Sequence, residues 1–182
     1  MSLKEYFENA LSVDAYKAQM KVNQTEMQQV YEQFEAPEDA RVAELKDRHL
    51  RVLAISEDWC GDAMMNNAVL LRLAEQAQME VRFALRDSNL DLIDQYLTNG
   101  TSRSIPIYIF MDENFEEVAV WGPRAEGVQA FITDSRQDLP PKDDPTFEEK
   151  SKAKHQLAHE AFLSTPAFWN DVYTSILNKV AQ

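Results

Sequence analysis

The spacing of apolar residues divides the chain into helical ends and a mixed middle. Over residues 1–50 apolar side chains recur every three or four positions, as at Met27 and Val30, which is typical of amphipathic helices. A capping box from Thr25 to Gln28 and a proline at position 37 followed by acidic residues indicate two helix starts. We therefore predict an N-terminal helical extension over residues 1–50.

A different pattern begins at residue 51. The apolar run Val52–Ile55 is too short for a helix and suits a strand that is buried on both faces. The patterns that follow predict the order β-α-β-α-β-β-α, at residues 52–55, 62–78, 81–85, 88–96, 105–111, 117–121 and 123–133. We therefore predict an α/β domain over residues 51–135, with a central sheet of about four strands flanked by helices.

A second helical region closes the chain. The prolines and charges of Asp138–Pro145 interrupt both periodicities and indicate a linker. Helical patterns resume near Thr146 and again at Pro166, which predicts a C-terminal helical extension over residues 146–182, packed on the same domain. The apolar stripes of the two extensions must be covered by the sheet, by each other or by a second subunit, and the last arrangement would give a homodimer.

Composition narrows the classes of function. The chain has 182 residues, 45% of them hydrophobic, and a formal net charge of −13. This size and composition favour one folded domain, and the negative charge disfavours nucleic acids and anionic membranes as partners. No apolar stretch reaches the roughly 18 residues that span a bilayer, and the N-terminus lacks the pattern of a signal peptide, so we expect a cytoplasmic protein.

Cysteine and histidine counts limit the chemistry further. Cys60 is the only cysteine, which excludes an intramolecular disulfide and a zinc site made of several cysteines. His155 and His159 stand four residues apart on a predicted helix, the spacing of a two-histidine metal pair. Because no further ligands accompany them, we expect two solvated helix residues, with neither a metal site nor a cofactor.

Cys60 lies where a buried strand ends and a helix begins. The free N–H groups and the partial positive charge of a helix N-terminus stabilise a thiolate at such a position. Three neighbouring carboxylates, those of Glu57, Asp58 and Asp62, have the opposite effect. The sequence leaves open which influence is stronger, and a lone cysteine also suits the role of a small buried apolar residue.

The residues around Cys60 resemble the thioredoxin superfamily. A strand ends in Trp59-Cys60-Gly61, a helix follows at once, and Ile105-Pro106 opens the next long apolar strand. The sequence is similar to bacterial thioredoxin-like proteins that have an N-terminal helical extension and a Trp-Cys-Gly-Asp-Cys motif.

This resemblance covers about residues 45–135 and implies a thioredoxin-like fold with Cys60 as the catalytic residue. It also implies that the peptide bond before Pro106 is cis and that this proline packs against the cysteine. The other residues of the two motifs would contact the substrate: Trp59, Gly61, Ile105 and Pro106.

Two departures from the family pattern leave the function open. Ala63 stands where dithiol members have their second cysteine, and Ala54 stands where thioredoxins have a buried aspartate. One hypothesis is single-thiol exchange, in which Cys60 reacts with protein or low-molecular-weight thiols and disulfides and an external thiol resolves the product. The other is a redox-silent binding module that holds an extended peptide beside Pro106. An iron–sulfur cluster shared between two subunits is disfavoured, because the motif differs from that of monothiol glutaredoxins.

Overall fold

The computed structural model describes all 182 residues, which form nine α-helices and five β-strands. The helices are α1 (Leu3–Asn9), α2 (Val13–Gln19), α3 (Gln24–Gln33), α4 (Ala40–Asp47), α5 (Gly61–Ala77), α6 (Leu90–Ile93), α7 (Glu126–Ser135), α8 (Phe147–Ser164) and α9 (Pro166–Val180). The strands are β1 (Leu11–Ser12), β2 (Arg51–Ser56), β3 (Glu80–Leu85), β4 (Ile107–Met111) and β5 (Glu117–Trp121). The predicted α/β class with helical ends is confirmed.

The strands form one sheet in the order β1-β3-β2-β4-β5. β2 and β3 are parallel and are joined through α5, whereas the other neighbours are antiparallel. β2 lies in the middle, and its residues Val52–Ser56 are buried, as its continuous apolar run predicted. β4 begins at Ile107 rather than Ile105, two residues later than predicted. The edge strand β1 was not predicted, because two residues are too few to show a period.

Several helices begin at other residues than the sequence pattern indicated. Asp39 caps α4, since its Oδ1 accepts the Arg41 N–H at 2.9 Å. Asn23 precedes α3 in a left-handed conformation and makes no side-chain cap, and its Nδ2 donates to the carbonyl oxygen of Asp58 at 2.9 Å. Because α3 begins at Gln24, Thr25 lies inside the helix. The capping box predicted at Thr25 is therefore wrong. Four helix starts differ from the predicted ones. The helices begin at Gln24, Ala40, Leu90 and Glu126, whereas the sequence pattern placed their starts near Thr25, Pro37, Ser88 and Pro123, respectively.

Helix α5 lies at the centre of the larger apolar core. It is buried along most of its length, including Met64 and Met65 at its start. Side chains from both ends of the chain pack into the same core, among them Tyr16, Met27, Phe162, Trp169 and Ile176. The apolar stripes of the helical ends are thus covered within one chain. No helix is both long enough and apolar enough to span a bilayer.

Candidate functional site

The end of β2 and the start of α5 position Cys60. Cys60 is the N-cap of α5, and its Sγ accepts the Ala63 N–H at 3.4 Å. The same Sγ lies 3.6 Å from the carbonyl oxygen of Ile105, to which the thiol donates. The Ile105–Pro106 peptide bond is cis. The fold therefore brings the two sequence motifs together although 45 residues separate Cys60 from Ile105.

Two of the three neighbouring carboxylates accept hydrogen bonds from backbone N–H groups of distant residues. The Glu57 carboxylate accepts the backbone N–H of Asp87 at 2.9 Å. The Asp58 carboxylate accepts the backbone N–H of Lys21 at 2.7 Å. These bonds tie the loop before Cys60 to two other loops, which accounts for both acidic residues without any role at the thiol.

The third carboxylate, that of Asp62, forms an ion pair beside the thiol. Arg124 donates to both of its oxygens, from Nε at 2.8 Å and from Nη2 at 2.9 Å. Only 14% of the Asp62 side chain is exposed, so water screens this pair weakly. The Arg124 side chain is 27% exposed, so the guanidinium is also partly buried.

The thiol of Cys60 is protonated at neutral pH. Burial raises its pKa from 9.0 to about 11, and the Asp62 carboxylate adds to that effect. The N–H groups of Ala63 and Asp62 and the Arg124 guanidinium act in the opposite direction, but their effect is smaller. The hydrogen bond that the thiol donates to Ile105 also requires the proton. Burial thus outweighs the helix N-terminus at this site.

The core beneath the site holds a hydrogen-bonded network without a carboxylate. Ser56, the last residue of β2, shares hydrogen bonds with the Tyr16 hydroxyl at 2.9 Å and with Asn67 Nδ2 at 3.0 Å. The Tyr108 hydroxyl donates to Asn67 Oδ1 at 2.6 Å, and burial raises the pKa of this tyrosine. All members are neutral at pH 7. The network therefore contains no carboxylate that could take up a proton beneath Cys60.

Helix α8 of the C-terminal extension passes beside the first residue of α5. A Cβ atom at Gly61 would lie 3.7 Å from His159 Nδ1 and 3.9 Å from the Phe162 ring. The side chain of Trp59 points to a different neighbour, since the Arg86 guanidinium lies 4.8 Å from the centre of its ring. The Trp59 residue is 49% exposed.

A cavity of about 720 Å³ separates the Cys60 segment from α7 and α8. Of the five predicted site residues, Trp59, Cys60 and Gly61 line it, whereas Ile105 and Pro106 do not. The other lining residues are Asp62, Arg124, Gln129, Ile132, Thr133, Ser135, Arg136, Lys154, His155, Ala158, His159 and Phe162.

Most residues of this cavity could not be predicted from the sequence. His155 and His159 lie on a helix as expected, His155 exposed and His159 partly buried, but the sequence pattern did not predict that both line a cavity. The Arg136 guanidinium, just after α7, donates to Ser151 Oγ of α8 at 3.1 Å and thereby joins the two helices. The one feature of the sequence that could have indicated the cavity residues of α8 is the concentration of basic residues and histidines between Lys150 and His159.

Comparisons with known proteins agree with this fold. A family model described as thioredoxin matches residues 10–137. An HIV epitope-scaffold protein of known structure is 18% identical, with 98% of this chain and 96% of that chain covered and a TM-score of 0.67. A protein of unknown function from Pseudomonas aeruginosa is 19% identical, with 98% of each chain covered and a TM-score of 0.63.

These two solved structures show the fold alone, and their coverage includes the helices after residue 137. A mutant thioredoxin from Halobacterium salinarum is 22% identical over 59% of this chain and 93% of its own, with a TM-score of 0.35. No curated protein matches the chain. Since the thioredoxin model matches well over half of the residues, including the Cys60 segment and the strands around it, the chain belongs to the thioredoxin family.

Proposed function

We propose that this protein binds a ligand in the cavity beside Cys60 and does not turn over disulfides. The observation that carries the proposal is the cavity of about 720 Å³ that α7 and α8 form over the Cys60 segment. Ligand-binding cavities in proteins typically measure roughly 300–1,000 Å³. In this proposal Cys60 contributes a neutral thiol to the wall of a binding site.

The chemistry of Cys60 supports the second half of the proposal. A dithiol protein releases its mixed disulfide when a second cysteine attacks, and here Ala63 occupies that position. With a pKa of about 11, about one Cys60 thiol in ten thousand is ionised at pH 7. Both the attack and the release are therefore disfavoured.

A matched pair of variants tests ligand binding. Thr133 is exposed and lines the cavity, and Ala130 is exposed on the same helix but does not line it. A fragment library is screened by ¹H–¹⁵N NMR against the wild type, Thr133→Trp and Ala130→Trp. We expect fragments that shift the amide signals of Cys60 and Ala158 in the wild type and in Ala130→Trp but not in Thr133→Trp. The proposal is contradicted if no fragment shifts the Cys60 and Ala158 signals in the wild type, or if the fragments still shift them in Thr133→Trp.

Single-thiol exchange is the second candidate. It is favoured by the position of Cys60 on the cavity wall, where the Ala63 N–H and Arg124 offset a part of the rise in the pKa of the thiol. In this reaction the Cys60 thiolate attacks one sulfur of a disulfide, a new S–S bond forms, and the other sulfur leaves as a thiolate that takes a proton. An external thiol then attacks the mixed disulfide and releases Cys60.

Reaction with 5,5′-dithiobis(2-nitrobenzoate) distinguishes the two candidates. Each attack by Cys60 releases one coloured thiolate, and Cys60→Ser supplies the background, because Cys60 is the only cysteine. Binding without exchange predicts that the folded protein reacts far more slowly at pH 7 than the same chain unfolded in urea. A folded rate equal to or above the unfolded rate would favour single-thiol exchange.

A further inference from the structure

We infer that the cavity beside Cys60 takes a small organic anion with an apolar body, whose acidic group binds at Arg136. This inference rests on the proposed function, because it names the class of ligand for the same cavity. It comes from the charges and apolar side chains of the cavity wall, which differ from those of the chain as a whole.

The charge of the cavity wall is opposite to that of the protein. The chain carries a net charge of −13, yet three of its basic side chains, those of Arg124, Arg136 and Lys154, line the cavity. Asp62 supplies the one carboxylate among the lining residues. Such an arrangement raises the local concentration of anions, although the protein as a whole repels them.

The three basic side chains differ in their partners. Arg124 is neutralised by Asp62, and Lys154 pairs with the exposed carboxylate of Asp138 at 2.9 Å. Arg136 has no carboxylate within 4 Å. Its cationic charge is therefore the one that no acidic group of the protein balances at short range.

The neighbours of Arg136 leave part of its guanidinium free. Nη2 donates to the neutral Ser151 Oγ at 3.1 Å, and Nη1 lies 3.5 Å from His155 Nε2. A guanidinium has five N–H donors in a planar fork that suits the two oxygens of a carboxylate or a phosphate. The bond to Ser151 fixes the fork in position, and the remaining donors are available to an acidic group.

The rest of the wall favours an apolar body over a bare inorganic ion. Trp59, Ile132, Ala158 and Phe162 line the same cavity, and they would cover the apolar part of a ligand. A carboxylate or phosphate group joined to an aromatic or branched body therefore fits both parts of the wall. A cavity of about 720 Å³ has room for such a molecule.

A pair of probes with the same shape but different charge tests the inference. The affinities of 2-naphthoate and of the uncharged 2-naphthamide are measured by ¹H–¹⁵N NMR titration. We expect naphthoate to bind at least about tenfold more tightly, the ratio that corresponds to about 1.4 kcal/mol. Arg136→Gln should abolish the difference, whereas Arg103→Gln, which removes the same charge at an exposed pair with Asp94, should retain it.

Further measurements test the acidic group and the apolar body of the ligand separately. Added salt should weaken naphthoate but not naphthamide in the wild type, a result that does not depend on the folding of any variant. Inorganic phosphate should bind more weakly than naphthoate, and equal affinity would overturn the apolar body. Equal affinities of the two naphthalene probes, or no binding of either, would overturn the anionic ligand. The proposed function would survive those outcomes if neutral fragments still shift the cavity signals, and would fall with the inference if none do.

Discussion

Alkylation of Cys60 by iodoacetamide measures how strongly the fold suppresses its thiolate. Burial and Asp62 raise the pKa of the thiol from 9.0 to about 11. At pH 7 these two values correspond to thiolate fractions of about one in a hundred and one in ten thousand. Because only the thiolate reacts, we expect the folded protein to react about a hundredfold more slowly than the unfolded chain.

The assay is a pH series of alkylation rates, followed by mass spectrometry. The same chain in urea serves as the reference, and Cys60→Ser controls for reaction at other side chains. The rate of the unfolded chain should level off above about pH 9, whereas the folded rate should still rise at pH 10. A folded rate that levels off below pH 9 would refute the conclusion that burial outweighs the helix N-terminus.

The substitution Asp62→Asn tests the cause of the raised pKa. It removes the carboxylate that opposes ionisation and releases Arg124 from its ion pair, so both changes favour the thiolate. Alkylation at pH 7 should become about tenfold faster for each unit by which the pKa falls. Glu57→Gln is the matched control, because the Glu57 carboxylate is bound to the backbone of Asp87. An equal effect of the two substitutions would contradict the assignment to Asp62.

The remaining predictions concern stability. Gly122→Ala should lower the free energy of unfolding in urea by about 2 kcal/mol or more, because the residue has φ +132° and the new Cβ would lie 2.2 Å from a backbone oxygen. Gly61→Ala should change it by less than about 1 kcal/mol, since its Cβ meets nothing closer than 3.7 Å, and equal effects would contradict this. Tyr108→Phe removes the donor to Asn67 Oδ1 in the core and should cost about 1–3 kcal/mol, so an unchanged urea midpoint would argue against the buried network. Between pH 9 and 11 the unfolded chain loses the Cys60 proton while the folded protein keeps it. The ionisation of Cys60 should therefore lower the free energy of unfolding by at most about 2.7 kcal/mol over this range. In the Cys60→Ala variant the free energy of unfolding should fall less over the same range than in the wild type.

The sequence alone determined the main elements of the fold. The buried run of β2, the helix after it and the hairpin of β4 and β5 follow from apolar periodicity, which each segment carries within itself. The position of Cys60 between a strand and a helix was predictable for the same reason. Helix starts were less predictable, because the chain before a helix also makes long-range contacts, such as the bond from Asn23 Nδ2 to the carbonyl oxygen of Asp58.

Only the tertiary structure decided the chemistry of the site. It determined that Glu57 and Asp58 bind distant backbone amides while Asp62 pairs with Arg124, a residue 62 positions away. It also placed α8 beside Gly61 and so created the cavity that His155 and His159 line. Local sequence patterns do not show which distant residues become neighbours in the fold. The pKa of a thiol could not be predicted from them, because it depends on the burial and the charges that those neighbours supply. The sequence therefore located the cysteine, whereas the packing of distant segments determined its protonation and the cavity beside it.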